Sequence, residues 1–215
     1  MRIKMRVAIL IFLCGFGMSI TSFAAGADKN VVPKVLGDKI MRLPLTRQAT
    51  NYTCGVAALQ SVLAYYGVSI REDNLAKELK TTNDGTSKEN IILFARNQGL
   101  IAAGRPKMSL DDLRKALSQR KPVMVAIQAW PDTPVDFKAD WEDGHWVVAL
   151  GYNKDNIYFM DPSTLGNYTY IPIPEFLERW HDIDLDNTTK LNHYGIIFSS
   201  KCKPSYDPKI ILRLE

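Results

Sequence analysis

Histidine and cysteine are scarce in this chain, three of each among 215 residues. Three cysteines are too few for a disulfide-dense scaffold. Cys14, Cys54 and Cys202 also lack the short spacing to His145, His181 or His193 that a zinc site uses, so no metal or other cofactor is expected. Beyond residue 24 no apolar run is long enough to span a bilayer. No Lys/Arg cluster suggests nucleic acid, and no repeat or low-complexity tract is present. These absences leave a globular domain with a protein or peptide partner.

The first residues read as an address. Arg2, Lys4 and Arg6 precede an apolar run from Val7 to Ile20, and small residues surround Ala24 and Ala25, the pattern of a secretory signal peptide over residues 1–24. Its removal takes three of the 27 cationic residues and none of the 23 acids, so the formal charge falls from +4 to +1. The 191 residues left suit one domain with a full core. Export to the periplasm or the cell exterior is expected, with no stable membrane span after cleavage; the sequence carries no signal of oligomeric state. Residues 25–40 read as a linker and residues 41–215 as a single domain.

Within that domain one stretch stands out. A polar turn, Asn51-Tyr52-Thr53, runs into Cys54, and Val56, Leu59, Val62, Leu63 and Tyr66 then recur at helical spacing up to Gly67. Cys54 is thus predicted at a helix start, with Asn51 or Thr53 as N-cap. The unpaired N–H groups and dipole there favour a thiolate. Gly55 would leave the backbone beside the sulfur open, and the Gln48 amide could join the Cys54 N–H in holding an oxyanion. A small buried core cysteine fits the segment equally well, as does a disulfide to Cys202.

Three further helices carry start signals. Ser69-Ile70-Arg71-Glu72 and Thr86-Ser87-Lys88-Glu89 match a capping box and Ser109-Leu110-Asp111-Asp112 nearly does. From Pro122 the pattern turns to short β-rich runs at residues 122–127, 146–150, 156–160 and 168–171, then a helix over 175–180 and strands over 194–198 and 210–214. Helices followed by strands predict an α+β domain, its helical first half packed on an antiparallel sheet from the second half.

Of the three histidines only His145 opens a predicted strand, directly after Gly144, while Asp161 closes the next one before Pro162. In a hairpin the first residue of one strand faces the last of the other, so His145 and Asp161 should be neighbours. Imidazole between a carboxylate and a thiol is what nucleophilic catalysis requires: the ring takes the thiol proton and the carboxylate fixes the tautomer. Elsewhere, Asp182 to Asn187 begins like a calcium loop but has Asn187 where the loop needs Gly, and reads better as a solvated acidic turn. His193 is a second candidate base with no acid at a strand end to support it. Trp130 and Trp141 bracket a loop and could line a peptide groove.

Gln48, Cys54-Gly55, Gly144-His145-Trp146-Val147-Val148 and Asp161-Pro162 together resemble the peptidase domain that removes double-glycine leaders from bacteriocin precursors, a papain-like cysteine peptidase. The resemblance covers about Leu43 to Trp180. It implies a papain-like α+β fold over residues 41–215, with Cys54 as nucleophile, His145 as general base and then acid, Asp161 as its orienter and Gln48 in the oxyanion hole. With the signal peptide, it implies a stand-alone exported member acting on a peptide or exported protein. A transpeptidase or acyltransferase would use the same site. A non-catalytic peptide-binding module for an exported protein or surface assembly is the alternative from another class.

Overall fold

The computed structural model of the protein describes residues 40–130, 136–211 and 213. Residues 1–39, on which the expected signal peptide and nearly all of the expected linker fall, and residues 131–135 of the Trp130 loop lie outside the described residues. Among those described, no helix is long and apolar enough to cross a membrane.

The chain enters as an extended segment whose Met41 N–H bonds to the Leu150 carbonyl oxygen at 3.1 Å. It then forms α1 (Cys54–Tyr65). This helix is apolar almost all round, with Val56, Ala57, Ala58, Leu59, Val62 and Leu63 fully buried, and it packs on the sheet while α2 and α3 pack on it. It ends where Gly67 takes φ +90° and the Gly67 and Val68 N–H groups bond back to Ala64 and Leu63. Those two bonds satisfy carbonyls that a simple helix end leaves open, and only glycine adopts the φ at low cost.

Helices α2 (Glu72–Glu78), α3 (Lys88–Asn97) and α4 (Leu110–Ser118) follow. The Ser109–Asp112 capping box is present in full. The other two start signals are displaced: α2 begins after Arg71 without a side-chain cap, and α3 is capped by Ser87 rather than Thr86. Thr86 instead pairs its hydroxyl with Thr81 at 2.8 Å, which settles the turn before α3.

Between α3 and α4 lies β1 (Ile101–Arg105), an unexpected strand that the mostly helical first half contributes to the sheet. Its sequence, Ile-Ala-Ala-Gly-Arg, has one β-branched residue, so propensity gave no strand signal. Gly104 is required there because a Cβ would lie 2.2 Å from the Tyr194 hydroxyl. The remaining elements are β2 (Val123–Gln128), β3 (Gly144–Tyr152), β4 (Asn156–Met160), β5 (Thr169–Pro172), α5 (Ile173–Arg179) and β6 (Gly195–Ser199).

The six strands form one antiparallel sheet in the order β1-β6-β2-β3-β4-β5. Strand β2 is buried along its whole length, covered by helices α4 and α5. The expected strand over residues 210–214 is not formed at 210, 211 or 213. The C-terminal segment instead docks on the end of α1, with the Ser205 and Tyr206 N–H groups on the Tyr65 carbonyl.

Candidate active site

Three elements deliver the chemistry to one end of the sheet. Helix α1 begins at Cys54 itself, which is 8% exposed. Thr53 occupies the N-cap position, yet its hydroxyl turns to Thr50, accepting from the Thr50 N–H at 3.1 Å, and no side chain caps the helix. The first turn also lacks an acid, so the positive end of the helix dipole is left to act on the sulfur. Gly55 serves packing rather than substrate access. A Cβ there would meet the Thr86 Cβ at 3.1 Å and the Trp146 Cδ1 at 3.2 Å.

His145 lies near the start of β3 and is 2% exposed. The hairpin register differs from the simple expectation. Met160, the last residue of β4, pairs with Val148, so β3 overhangs its neighbour by four residues. Asp161, one residue past the end of β4, falls level with Val147, and its side chain leans along the overhang to His145. His145 Nε2 and Asp161 Oδ1 are 2.8 Å apart.

The Asp161 carboxylate is held on every side. Oδ1 also accepts from the Ser163 N–H at 2.9 Å and the Ser163 hydroxyl at 2.8 Å, and Oδ2 accepts from the Thr164 hydroxyl at 2.8 Å. This turn, Asp161-Pro162-Ser163-Thr164, was readable as an Asx turn, and Ser163 and Thr164 are supporting residues that the sequence reading passed over. Burial alone would raise the Asp161 pKa. The hydrogen bond and charge of His145, with Ser163, outweigh it and bring the group down to about 2.

With Nε2 engaged by Asp161, Nδ1 is the ring nitrogen left, and Cys54 is near enough to the ring for its charge to act on His145. Burial pushes His145 down, but hydrogen bonds to Asp161 and Cys54 and the charges of both prevail, and its pKa rises to about 9. Trp130 covers the ring, edge to face, with centroids 4.3 Å apart. The structure thus brings Cys54, His145 and Asp161 into one line.

Gln48 joins them through its backbone, its N–H bonding to the Pro162 carbonyl at 3.0 Å. Its side-chain Nε2 spends one hydrogen on the Thr50 carbonyl at 2.7 Å, and its buried Oε1 accepts none among the described residues. The other two histidines are structural. His193 stacks on Trp180 at 4.9 Å, and His181 donates Nε2–H to the Asp140 carbonyl at 2.6 Å. Cys54 and Cys202 are both free thiols, so the disulfide alternative is not formed. In the acidic turn the Asp186 carboxylate is taken up by the Thr188 and Thr189 N–H groups and the Thr189 hydroxyl.

A cavity of about 430 Å³ opens beside Cys54. Thr86, Gly144, Trp141, Trp146, Asp182 and Leu191 are among its walls. Trp141 thus fulfils the groove-lining expectation, while Trp130 serves His145.

Residues 42–190 match the sequence profile of the Peptidase C39 family. The chain belongs to that family. Members and structural neighbours are cysteine peptidase domains, and this chain is accordingly a cysteine peptidase of papain-like fold. An uncharacterized protein of Methanothermobacter marburgensis is 32% identical over 128 residues, covering 60% of this chain and 75% of the relative. The transport/processing ATP-binding protein ComA of Streptococcus pneumoniae is 30% identical over 143 residues, which cover 64% of this C39 chain but 18% of ComA. Among solved structures, the peptidase domain of Streptococcus ComA superposes with a TM-score of 0.56 at 19% identity, covering 74% of this chain and 98% of that domain. A C39-like peptidase from Bacillus anthracis gives 0.57 at 18% identity, covering 74% and 96%.

Proposed function

We propose that this C39 peptidase is an exported thiol peptidase that cuts a peptide segment of an exported protein through Cys54, His145 and Asp161. The observation that carries the reading is the buried Asp161–His145 pair, with 2.8 Å between carboxylate and ring, and Cys54, at the start of α1, near enough to raise the His145 pKa. In that arrangement His145 takes the thiol proton as the sulfur attacks the peptide carbonyl. The carbonyl oxygen, becoming an anion, takes hydrogen bonds from the Cys54 N–H and the free hydrogen of the Gln48 amide. His145 then gives its proton to the leaving amine, and Asp161 keeps the ring in the required tautomer throughout. Water attacks the thioester, again with His145 as base, and restores Cys54.

A relative described as a double glycine motif protease holds a leader peptide, which supports a peptide lying in the cleft. The signal-like residues 1–24 support export. The test is incubation of mature protein with the proteins secreted by its own host, comparing parent, Cys54→Ala and His145→Ala by mass spectrometry of new termini. Cuts made by the parent and missing in both variants support the reading. Cuts that persist at the parental rate in Cys54→Ala overturn it.

A further inference from the structure

The cavity beside Cys54 holds one carboxylate that the catalytic line does not use. Asp182 is built into place. Its Oδ1 accepts from the Ile183 N–H at 2.8 Å and from Gln128 Nε2 at 3.3 Å. Gln128 is itself fully buried, and it is fixed by accepting from the Asp143 N–H at 2.9 Å and donating to the His181 carbonyl at 3.1 Å. The carboxylate rests on Gly144, where a Cβ would come within 2.4 Å of Oδ1. The residue before His145 is therefore glycine to make room for Asp182. Oδ2 accepts no hydrogen bond among the described residues, and Asp182 is one of the residues that line the cavity.

The surroundings leave this charge without a counter-ion. Among the described residues, Asp84, Glu142 and Asp184 are the other charged residues of the wall, and no lysine or arginine lines it. Lys88 is committed to Asp184 and Glu89, and Lys190 sits over the Trp141 ring, 4.5 Å from its centre. Burial pushes Asp182 up to about 6, with His145 opposing and Asp184 adding to the rise. A half-buried carboxylate anchored through one oxygen is stabilised by a cation brought to it.

We propose that Asp182 is a specificity-determining residue of the cleft, receiving on its carboxylate the ammonium or guanidinium of a Lys or Arg that neighbours the bond to be cut. This rests on the peptidase reading for the word substrate, but the charge preference of the cavity is testable without it.

The experiment measures alkylation of Cys54 at pH 8 by a cationic reagent, 2-bromoethylammonium, and an anionic one, iodoacetate, with neutral iodoacetamide as reference, in parent and Asp182→Asn. Each reagent forms an S–C bond and expels halide, so only the charge it carries into the cavity differs. The ratio of cationic to anionic rate is expected to fall by about tenfold in Asp182→Asn, with the iodoacetamide rate within about twofold of the parent, since the lost charge acts on the two reagents in opposite directions. An unchanged ratio overturns the proposal. If Asp182→Asn does not fold, Glu142→Gln, at an exposed residue of the same wall, serves instead. Its ratio falls by about twofold if the wall selects by charge and stays at the parental value if it does not. Peptides cut by the parent then give the second readout. Lys or Arg close to the cut, with kcat/KM reduced by about tenfold or more in Asp182→Asn, supports the assignment, and cuts without a basic neighbour refute it. If no peptide is cut while the charge ratio behaves as stated, the peptidase reading fails and the cation-selective cavity stands.

Discussion

Replacing Asp161 by Asn removes one negative charge from the catalytic line and almost nothing else. Oδ1 already receives three hydrogens, from His145, the Ser163 N–H and the Ser163 hydroxyl, whereas Oδ2 faces only the Thr164 hydroxyl. An asparagine therefore places its carbonyl oxygen at the Oδ1 position and its NH₂ toward Thr164, whose hydroxyl can accept. The His145 tautomer and ring position should survive. What goes is the attraction between carboxylate and imidazolium. For charge centres about 4 Å apart at an effective dielectric near 20 this is about 4 kcal/mol at most, and paired carboxylates and cations commonly shift each other by about one to three pKa units. A fall of about two units from the His145 value of about 9 is expected, worth about 3 kcal/mol or about a hundredfold in the population of the charged ring. The chain has only three histidines, so ¹⁵N-labelled imidazole resonances can be assigned and titrated one by one. His145 should titrate about two units lower in Asp161→Asn, and iodoacetamide should alkylate Cys54 more slowly at pH 6. A His145 resonance that titrates at the parental pH in the variant refutes the assignment of Asp161 as the group that charges the ring.

Asp161 should also mark the acid stability of the fold. Its folded value of about 2 lies below the unfolded value of about 3.9, so its contribution of roughly 2.5 kcal/mol is complete above about pH 4 and is lost as pH falls through about 2. Denaturant unfolding between pH 5 and 2 should therefore be steeper in pH for the parent than for Asp161→Asn. Gly144→Ala drives a Cβ into the Asp182 carboxylate at 2.4 Å and should cost about 1–3 kcal/mol by thermal melting, relieved in the double variant with Asp182→Ala. Leu59→Ala empties a fully buried position in the middle of α1 and should cost about 2–5 kcal/mol; a loss under about 1 kcal/mol would show that α1 is not pinned as its burial implies.

How much of this was legible follows from which forces act locally. The start of α1 at Cys54 was readable because apolar spacing and the turn before it are properties of adjacent residues, and the Ser109 capping box for the same reason. The pairing of His145 with Asp161 was anticipated for a reason that holds only in part. They meet because β3 runs four residues past the end of β4, with the pairing also shifting between Ala149 and Gly151, and neither fact is written in the propensities of either strand. Strand β1 was invisible because its place at the sheet edge is set by β6, about ninety residues later, and not by its own Ala-Ala-Gly core. Gly55 looked like an open approach to the sulfur, but its surroundings, Thr86 and Trp146, come from two distant elements. Asp182 sat in a segment that reads as an acidic turn, and nothing nearby announces that Gln128 and Gly144 will receive it.

The overhang of β3 also explains how one end of the sheet can hold both a rigid catalytic line and an open cleft. Where β3 and β4 are paired, the backbone polar groups are spent on the ladder and both faces are packed. Beyond Met160 the ladder on that side stops, so the β4 side of His145 is free for the Asp161 turn. The other side stays paired, with His145 opposite Ile127 and Gly144 opposite Gln128 in β2. Each flank of the same overhang therefore supplies a carboxylate: Asp161 through the turn after β4, bonded to the ring, and Asp182 through Gln128 at the end of β2, bonded to no ring and facing the cavity. The two differ in what balances them, a buried imidazole in one case and, in the other, two hydrogen bonds from the Ile183 N–H and Gln128 Nε2 with no bonded cation among the described residues. That difference drives their pKa values apart, to about 2 and about 6. One carboxylate is thereby fixed as the permanent partner of His145, and the other is left as the group with a charge still to satisfy.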